Sequence, residues 1–523
     1  MSKIKLTILQ VGEENWATKE NIPNNMEWLF IKPDQISDFV TTENNYLTSS
    51  KLLQKLPRKI SALLLTEQTY GPELSSLSSF FEVYEVFYPK DKHATGITEE
   101  FLRSKMAQRY DSSSPDQLIR QFYKGLFIGQ YGEKLQVSQI QIRNDFEGVV
   151  NYQGNNYLEL EGQFGENYSF LLNFAYNIPF SSDFYNELFL EHIIEGDIDI
   201  RLVISLIVDG SVDDSVDDIA KEWYFEKEDL NQLISLESDI SGSLAVKLFA
   251  KGKGIVKLGP LHRRNGRGGL GTFLLGGERH IDAIGHEFMT YFDPVDFKPP
   301  LTVYFSGFRS AEGFEGFWMM KSMKTPFMLI CDPRLQGGAF YIGSKEYEQK
   351  IVDAIQEKLA FLNFSSDQLI LSGLSMGTYG ATYHGAKLNP HAIIIGKPIF
   401  NLGTVAQRER LERPDGFATS LDIQLLNQGD LTSSSSEKLN NYFWKSIEEG
   451  DFSNTTFALA YMKNDDYDAT AFSDLLQYFR GKKHKILGRG WDGRHGDCSA
   501  EVGAWFTSQY RRMLSNDFGR KEE

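Results

Sequence analysis

Gln368-Leu369-Ile370-Leu371-Ser372-Gly373-Leu374-Ser375-Met376-Gly377-Thr378-Tyr379-Gly380-Ala381 runs from an apolar stretch into a serine flanked by glycines and then into small residues. The stretch reads as a buried strand, a sharp turn and a helix from about Tyr379 to Lys387, with the Ser375 hydroxyl lifted clear of the backbone where the glycines leave room. The five-residue pattern alone says little, because a chain with this much glycine produces it by accident about 0.3 times. The flanks carry the reading. Upstream, Tyr347, Ile351, Ile355, Leu359 and Leu362 recur at helical spacing, so the order is helix, strand, turn, helix. A Gly-Ser turn without chemistry is the bland alternative.

Further apolar runs surround this unit: Leu301 to Ser306, Phe327 to Asp332, Ala392 to Gly396, Thr456 to Tyr461 and Lys485 to Gly488. Short runs separated by helix-length segments are what a buried parallel sheet requires, and its strand ends should carry the site. Asp465 and Asp466 follow one such run, and His495 follows the last. The order Ser, acid, His is that of α/β-hydrolases. Ser375 is then the nucleophile, His495 the base that takes its proton, and Asp465 the carboxylate that orients the imidazole. Asp466 is the alternative acid, and Asp468 also stands close by. The oxyanion donors would be the Met376 amide, directly after the nucleophile, and the amide of Phe308 or Gly307 after the Leu301 strand. An insertion at about 403–453 lies where a cap over the site is usual.

Upstream, the sequence predicts two further domains. Residues 1–134 alternate short apolar runs with polar segments, as in a small α/β, Rossmann-like domain, without the G-x-G-x-x-G of a dinucleotide site. Residues 135–297 change to period two, for example Leu158 and Leu160 against Glu159 and Glu161, which predicts a β-sandwich-like domain able to bind carbohydrate through loops or a concave face. Trp223 and Tyr224 are candidates for stacking on a sugar, with core packing the simpler reading. The acidic run Asp209 to Asp218 reads as a solvated loop. His262, His280 and His286 match no compact ligand spacing, so no metal is assigned. His384 and His391 belong to the helix after the turn and its end. Pro299-Pro300 marks the start of the α/β-hydrolase-like domain, 298–523.

The chain has 523 residues, a net charge of -17 and two cysteines, Cys331 and Cys498. That length calls for two or three domains. The charge argues against nucleic acid, and two cysteines outside any CxxC pair argue against a disulfide framework or a thiolate zinc site. The first residues lack the pattern of a signal peptide, and no apolar stretch is long enough to span a bilayer. A cytoplasmic protein, peripheral at most to the inner face of the membrane, is expected.

Four stretches carry a family resemblance: Asp332 to Tyr341, Ser372 to Ala381, Met462 to Asp468, and Arg494 to Asp497. In these, and over its full length, the chain resembles the serine-hydrolase-like protein of the accessory Sec system, which accompanies export of serine-rich-repeat adhesins. The resemblance implies an O-acetyltransferase that modifies N-acetylglucosamine on the glycosylated adhesin, with acetyl-CoA as donor and no bound cofactor. It also implies adhesin glycans, other accessory Sec proteins and the accessory Sec motor ATPase as partners. Carried over by motif, nucleophile, acid and histidine fall on Ser375, Asp465 and His495. A non-catalytic export adaptor and a carbohydrate acetyl esterase are the alternatives.

Overall fold

The computed structural model describes residues 6–52, 59–208, 219–412, 414 and 416–520. The acidic run Asp209 to Asp218 lies outside the described residues. The chain is a mixed α/β protein with three sheets, divided between two compact units. One unit holds the residues up to Gly129 together with Asp183–Tyr185 and Gly266–Gly277; the other holds Gln130–Ser182, Asn186–Asn265 and Glu278 onward.

The first unit contains a five-stranded parallel sheet in the order Met26–Ile31, Leu6–Val11, Ala62–Leu65, Val86–Pro89, Gln108–Tyr110. Leu9, Leu63 and Leu65 face one side and Ile8, Ala62 and Leu64 the other, and both faces are buried. The segment Gly266–Gly277, read on sequence as part of the middle domain, belongs here instead. Arg267 is fully buried, and its guanidinium donates to the carbonyls of Gly125, Phe127, Gly129 and Phe273. A planar group with several donors is well suited to satisfying such converging carbonyls at once.

In the second unit, the middle segment is not a set of short strands. Three long ones, Tyr157–Phe174, Tyr185–Val208 and Gly242–Gly266, join shorter neighbours in one hydrogen-bonded sheet of nine. Their alternating residues enclose an aliphatic core that includes Leu158, Leu160, Ile200, Leu202, Leu248 and Val256. Glycines with positive φ, Gly165 and Gly252 among them, sit where the register shifts, so a single strand continues past an irregularity that the pattern of apolar residues alone would read as a strand end. Trp223 packs at the edge of the core, whereas Tyr224 is exposed and donates to Glu222.

The third sheet has eight strands, in the order Glu278–Ile281, Glu287–Asp293, Phe327–Cys331, Leu301–Phe305, Leu369–Leu374, Ala392–Gly396, Thr456–Met462, Lys485–Trp491. The last six are parallel and the first two antiparallel. The proline pair at 299–300 is therefore not the boundary, because two strands upstream of it pair into this sheet. Helix Lys345–Leu362 buries Tyr347, Ile351, Ile355, Leu359 and Leu362, and Met376–Leu388 starts three residues earlier than the sequence predicts. Among the described residues no helix is long and apolar enough to cross a membrane.

A buried ionic cluster joins the second and third sheets. His262 lies between carboxylates, with Nε2 2.8 Å from Glu191 and Nδ1 2.5 Å from Glu312. Arg264 bonds Glu312 at 2.6 Å and also pairs with Glu287, which Arg279 reaches at 2.5 Å. Lys134 completes the surroundings and donates to the carbonyls of Pro333 and Leu335. Burial opposes charge on His262, but the carboxylates of Glu312, Glu191 and Glu287 outweigh it and raise its pKa to about 9.

Because the folded value lies above the unfolded one, the contribution is complete below about pH 6.5 and is lost as the pH rises through about 9. It is on the order of 3 kcal/mol. Urea unfolding should therefore show stability falling between pH 7 and about pH 9.5 in the wild type. A His262→Gln variant should be less stable at neutral pH and should lack most of that slope.

Candidate active site

The strand Leu369–Leu374 ends at Ser375, whose φ of 51° and ψ of -118° lie outside the regions ordinary residues favour. Sterics explain the glycines around it. A Cβ on Gly373 would stand 2.3 Å from the Gly377 carbonyl, and one on Gly377 would stand 2.1 Å from the Phe305 oxygen. The turn is held by Ser375 N donating to Gly396 O at 2.9 Å and by the Thr378 hydroxyl donating to Ser375 O at 2.6 Å.

Ser375 Oγ lies 2.8 Å from His495 Nε2, and His495 Nδ1 lies 2.9 Å from Asp465 Oδ2. A carboxylate only accepts, so Nδ1 carries the proton toward Asp465 and Nε2 of the neutral ring is left to accept from the serine. The imidazole and the carboxylate are both buried. The other Asp465 oxygen accepts from the amides of Tyr467, at 2.9 Å, and Asp468, at 3.3 Å, which fixes the carboxylate plane.

The neighbouring acids have different positions. Asp466 accepts from the His495 backbone amide at 2.9 Å and so anchors the histidine loop rather than the ring. Asp468 accepts from the amides of Phe400 and Asn401, both at 2.7 Å. Burial pushes its carboxyl above the usual range, against the pull of those donors.

Of the candidate oxyanion donors, Gly307 is already committed, because its amide donates to Glu315 Oε2 at 2.7 Å. Glu315 Oε2 also takes the Tyr304 hydroxyl at 3.1 Å. Among the described residues, the amides of Met376 and Phe308 donate to no protein acceptor. The segment Asp332–Tyr341 packs beside them. Buried Asp332 accepts from Arg334, Ala339 and Tyr341, and Gly338 runs so close to Met376 that a Cβ would meet its sulfur at 2.5 Å.

Three helices, Leu402–Leu411, Thr419–Gln428 and Ser433–Glu449, form the insertion. Between the first two, Phe417 packs against Phe308, Phe340 and Tyr467, with ring centroids 5.7, 6.1 and 5.3 Å away. Tyr467 in turn lies 4.5 Å from the His495 ring. The insertion therefore reaches the aromatic surroundings of the histidine. Tyr467, Phe417 and Glu315 had no signal in the sequence beyond proximity to the motifs.

The other histidines are dispersed. His262 is in the ionic cluster, His280 stacks on Phe288, His286 faces the Tyr157 hydroxyl, His384 meets Tyr341 O, and His391 meets Asp517.

The family described as accessory Sec system GspB-transporter matches residues 6–520. The chain belongs to this family. An accessory Sec system protein of Streptococcus gordonii is 40% identical over 523 residues, covering 99% of this chain and 100% of the relative. A second, from Staphylococcus aureus, is 43% identical over 399 residues, 75% of each chain. Among solved structures, a chain of the glycosylation associate protein complex from Streptococcus agalactiae is 99% identical, covers 100% of both chains and superposes with a TM-score of 0.97.

The three acids can be separated by charge-neutral substitution. Asp465→Asn should lower the rate of p-nitrophenyl acetate hydrolysis by about 10⁴-fold, because it presents the wrong partner to Nδ1. Asp466→Asn should cost far less, since an amide oxygen still accepts from the His495 amide. The reverse ranking in steady-state rates would transfer the orienting role to Asp466.

Proposed function

We propose that the protein is a serine-dependent O-acetyltransferase of the accessory Sec system, acting on N-acetylglucosamine of serine-rich-repeat adhesins before their export. The observation that carries this reading is the 2.8 Å contact between Ser375 Oγ and His495 Nε2 at a strained turn above a parallel, α/β-hydrolase-like sheet. Ser375 Oγ attacks the carbonyl carbon of an acetyl thioester, acetyl-CoA in this reading, while His495 takes the hydroxyl proton. The tetrahedral oxyanion is held by the Met376 and Phe308 amides. Collapse breaks the carbon–sulfur bond, and the imidazolium returns the proton to the leaving thiolate. A sugar hydroxyl then repeats the sequence in reverse, leaving an O-acetyl ester and free Ser375.

Water in place of the sugar would make the same site an esterase. The aromatic chain from Phe308 through Phe417 to Tyr467 supports transfer, because it ends on the His495 ring and lays apolar surface on that side of it. Other accessory Sec proteins and the motor ATPase are the proposed partners in the cytoplasm. The 99% identical chain found in a complex supports protein partners, and the motor ATPase and the cytoplasm follow from the family reading alone.

A purely adaptor role is the second reading. It is favoured by the first unit, a parallel sheet with its own two cores and none of the residues of the serine site. Mass spectrometry of adhesin glycopeptides separates the two. In cells carrying Ser375→Ala, acetylated N-acetylglucosamine should disappear, while immunoblots of the medium should still show substantial adhesin. Acetylation at the wild-type level would refute the covalent mechanism. Secretion blocked as fully as by deletion of the whole protein would merge the two activities into one.

A further inference from the structure

The loop that follows strand Leu301–Phe305 presents Phe308, and it is gripped from the second sheet. Glu312 uses both carboxylate oxygens on that sheet, Oε1 on His262 at 2.5 Å and Oε2 on Arg264 at 2.6 Å. Its amide donates to Gly132 O at 3.0 Å. Two residues on, Phe314 is held at both backbone atoms by one side chain: its amide donates to Gln130 Oε1 at 2.7 Å, and its carbonyl accepts from Gln130 Nε2 at 3.1 Å. Gly313, with φ of 137°, lies so close that a Cβ would meet Gln130 Oε1 at 2.9 Å. The near end of the loop is fixed by the third-sheet domain through the Arg309 amide on Gly337 O at 3.1 Å, while the Gly307 amide closes the loop on its own Glu315, whose carboxylate also takes the hydroxyl of Tyr304 in the strand.

Phe308 therefore sits between two fixed points, one set by each sheet. We propose that the second sheet is a working part of the acyl-transfer site, with His262, Arg264 and Gln130 as positioning residues that hold the Phe308 amide where the oxyanion forms. This rests on the acyl-transfer reading above. The second sheet also bonds the third-sheet domain at Glu287, Pro333, Leu335 and Asp422, but its contacts on Glu312 and Phe314 are the ones that fall on the loop carrying Phe308. Oxyanion stabilisation depends on preorganised donors aimed at the developing charge, so a loop free to shift by a fraction of an ångström would weaken the transition state and leave ester binding intact. Besides its pH-dependent contribution to stability, a buried ionic group can specify position. The cluster of His262, Arg264, Glu191, Glu287 and Glu312 accordingly serves to place the loop.

The test uses the full chain, p-nitrophenyl acetate as the acyl donor, and three variants. His262→Gln breaks the ionic clamp and Gln130→Leu breaks the neutral one; Ser375→Ala is the control. Under conditions where near-ultraviolet circular dichroism shows native packing, kcat should fall about tenfold in each clamp variant with KM nearly unchanged. Affinity for a phenylboronic acid, whose serine adduct places an oxygen at the oxyanion position, should fall in parallel. If His262→Gln fails to fold, Gln130→Leu decides. Folded clamp variants with wild-type kcat would overturn the proposal. So would a loss of kcat that cooling fully restores, or one without weaker boronate binding. Wild-type hydrolysis by Ser375→Ala would instead overturn the acyl-transfer reading itself.

Discussion

The site depends on a contact between two pieces of backbone. Gly377, at the start of helix Met376–Leu388, lies against the carbonyl of Phe305, with no space for even one carbon between them. That approach puts the end of strand Leu301–Phe305, and with it the start of the loop that carries Phe308, beside the serine turn. At that turn Ser375 takes a conformation that costs about 1–3 kcal/mol. The bonds from Ser375 N to Gly396 and from Thr378 to Ser375 O offset this by about 1 kcal/mol each. A hydroxyl held this way cannot relax into the strand, and the ends of the neighbouring strands bring Asp465 and His495 to meet it.

The third sheet was legible because its signals are local. Runs of four to six apolar residues, a helix of period 3.6 and two glycines around a serine need no knowledge of what they touch. The pairing of Ser375 with His495 and Asp465 followed from chain order. The choice of Asp465 over Asp466 was harder to read, because adjacent residues at the end of a strand point different ways and only the loop geometry separates ring from backbone. Phe308 and Gly307 could not be told apart on sequence, because the bond from the Gly307 amide to Glu315, eight residues on, leaves no local signal. The length of the strands in the middle segment is not legible from alternation, because glycine and polar residues at a bulge resemble a turn. The clamp on Glu312 was invisible: its partners lie 48 and 50 residues earlier in the chain, and a lone histidine near an arginine reads as surface.

The second sheet also reaches the insertion. Asp422, at the start of helix Thr419–Gln428, accepts from the backbone and side chain of Asn155, and Asn156 donates to its carbonyl. Gly154, with φ of 58°, allows the approach, since a Cβ would come within 2.3 Å of the carboxylate. Burial pushes the Asp422 carboxyl up, while the Asn155 donors favour the ionised form. The insertion and the loop after strand Leu301–Phe305 are thus both braced on one neighbouring module, so differences in its hairpins can shift either without touching Ser375.

Arg267 has a consequence for biosynthesis. The carbonyls it collects at Gly125, Phe127 and Gly129 precede it by 138 to 142 residues. The first unit to leave the ribosome therefore cannot be completed until well over a hundred later residues have been made. A shortened chain ending near Gly129 would carry those carbonyls uncapped, so a fragment designed from the amino terminus alone would lack part of its own fold.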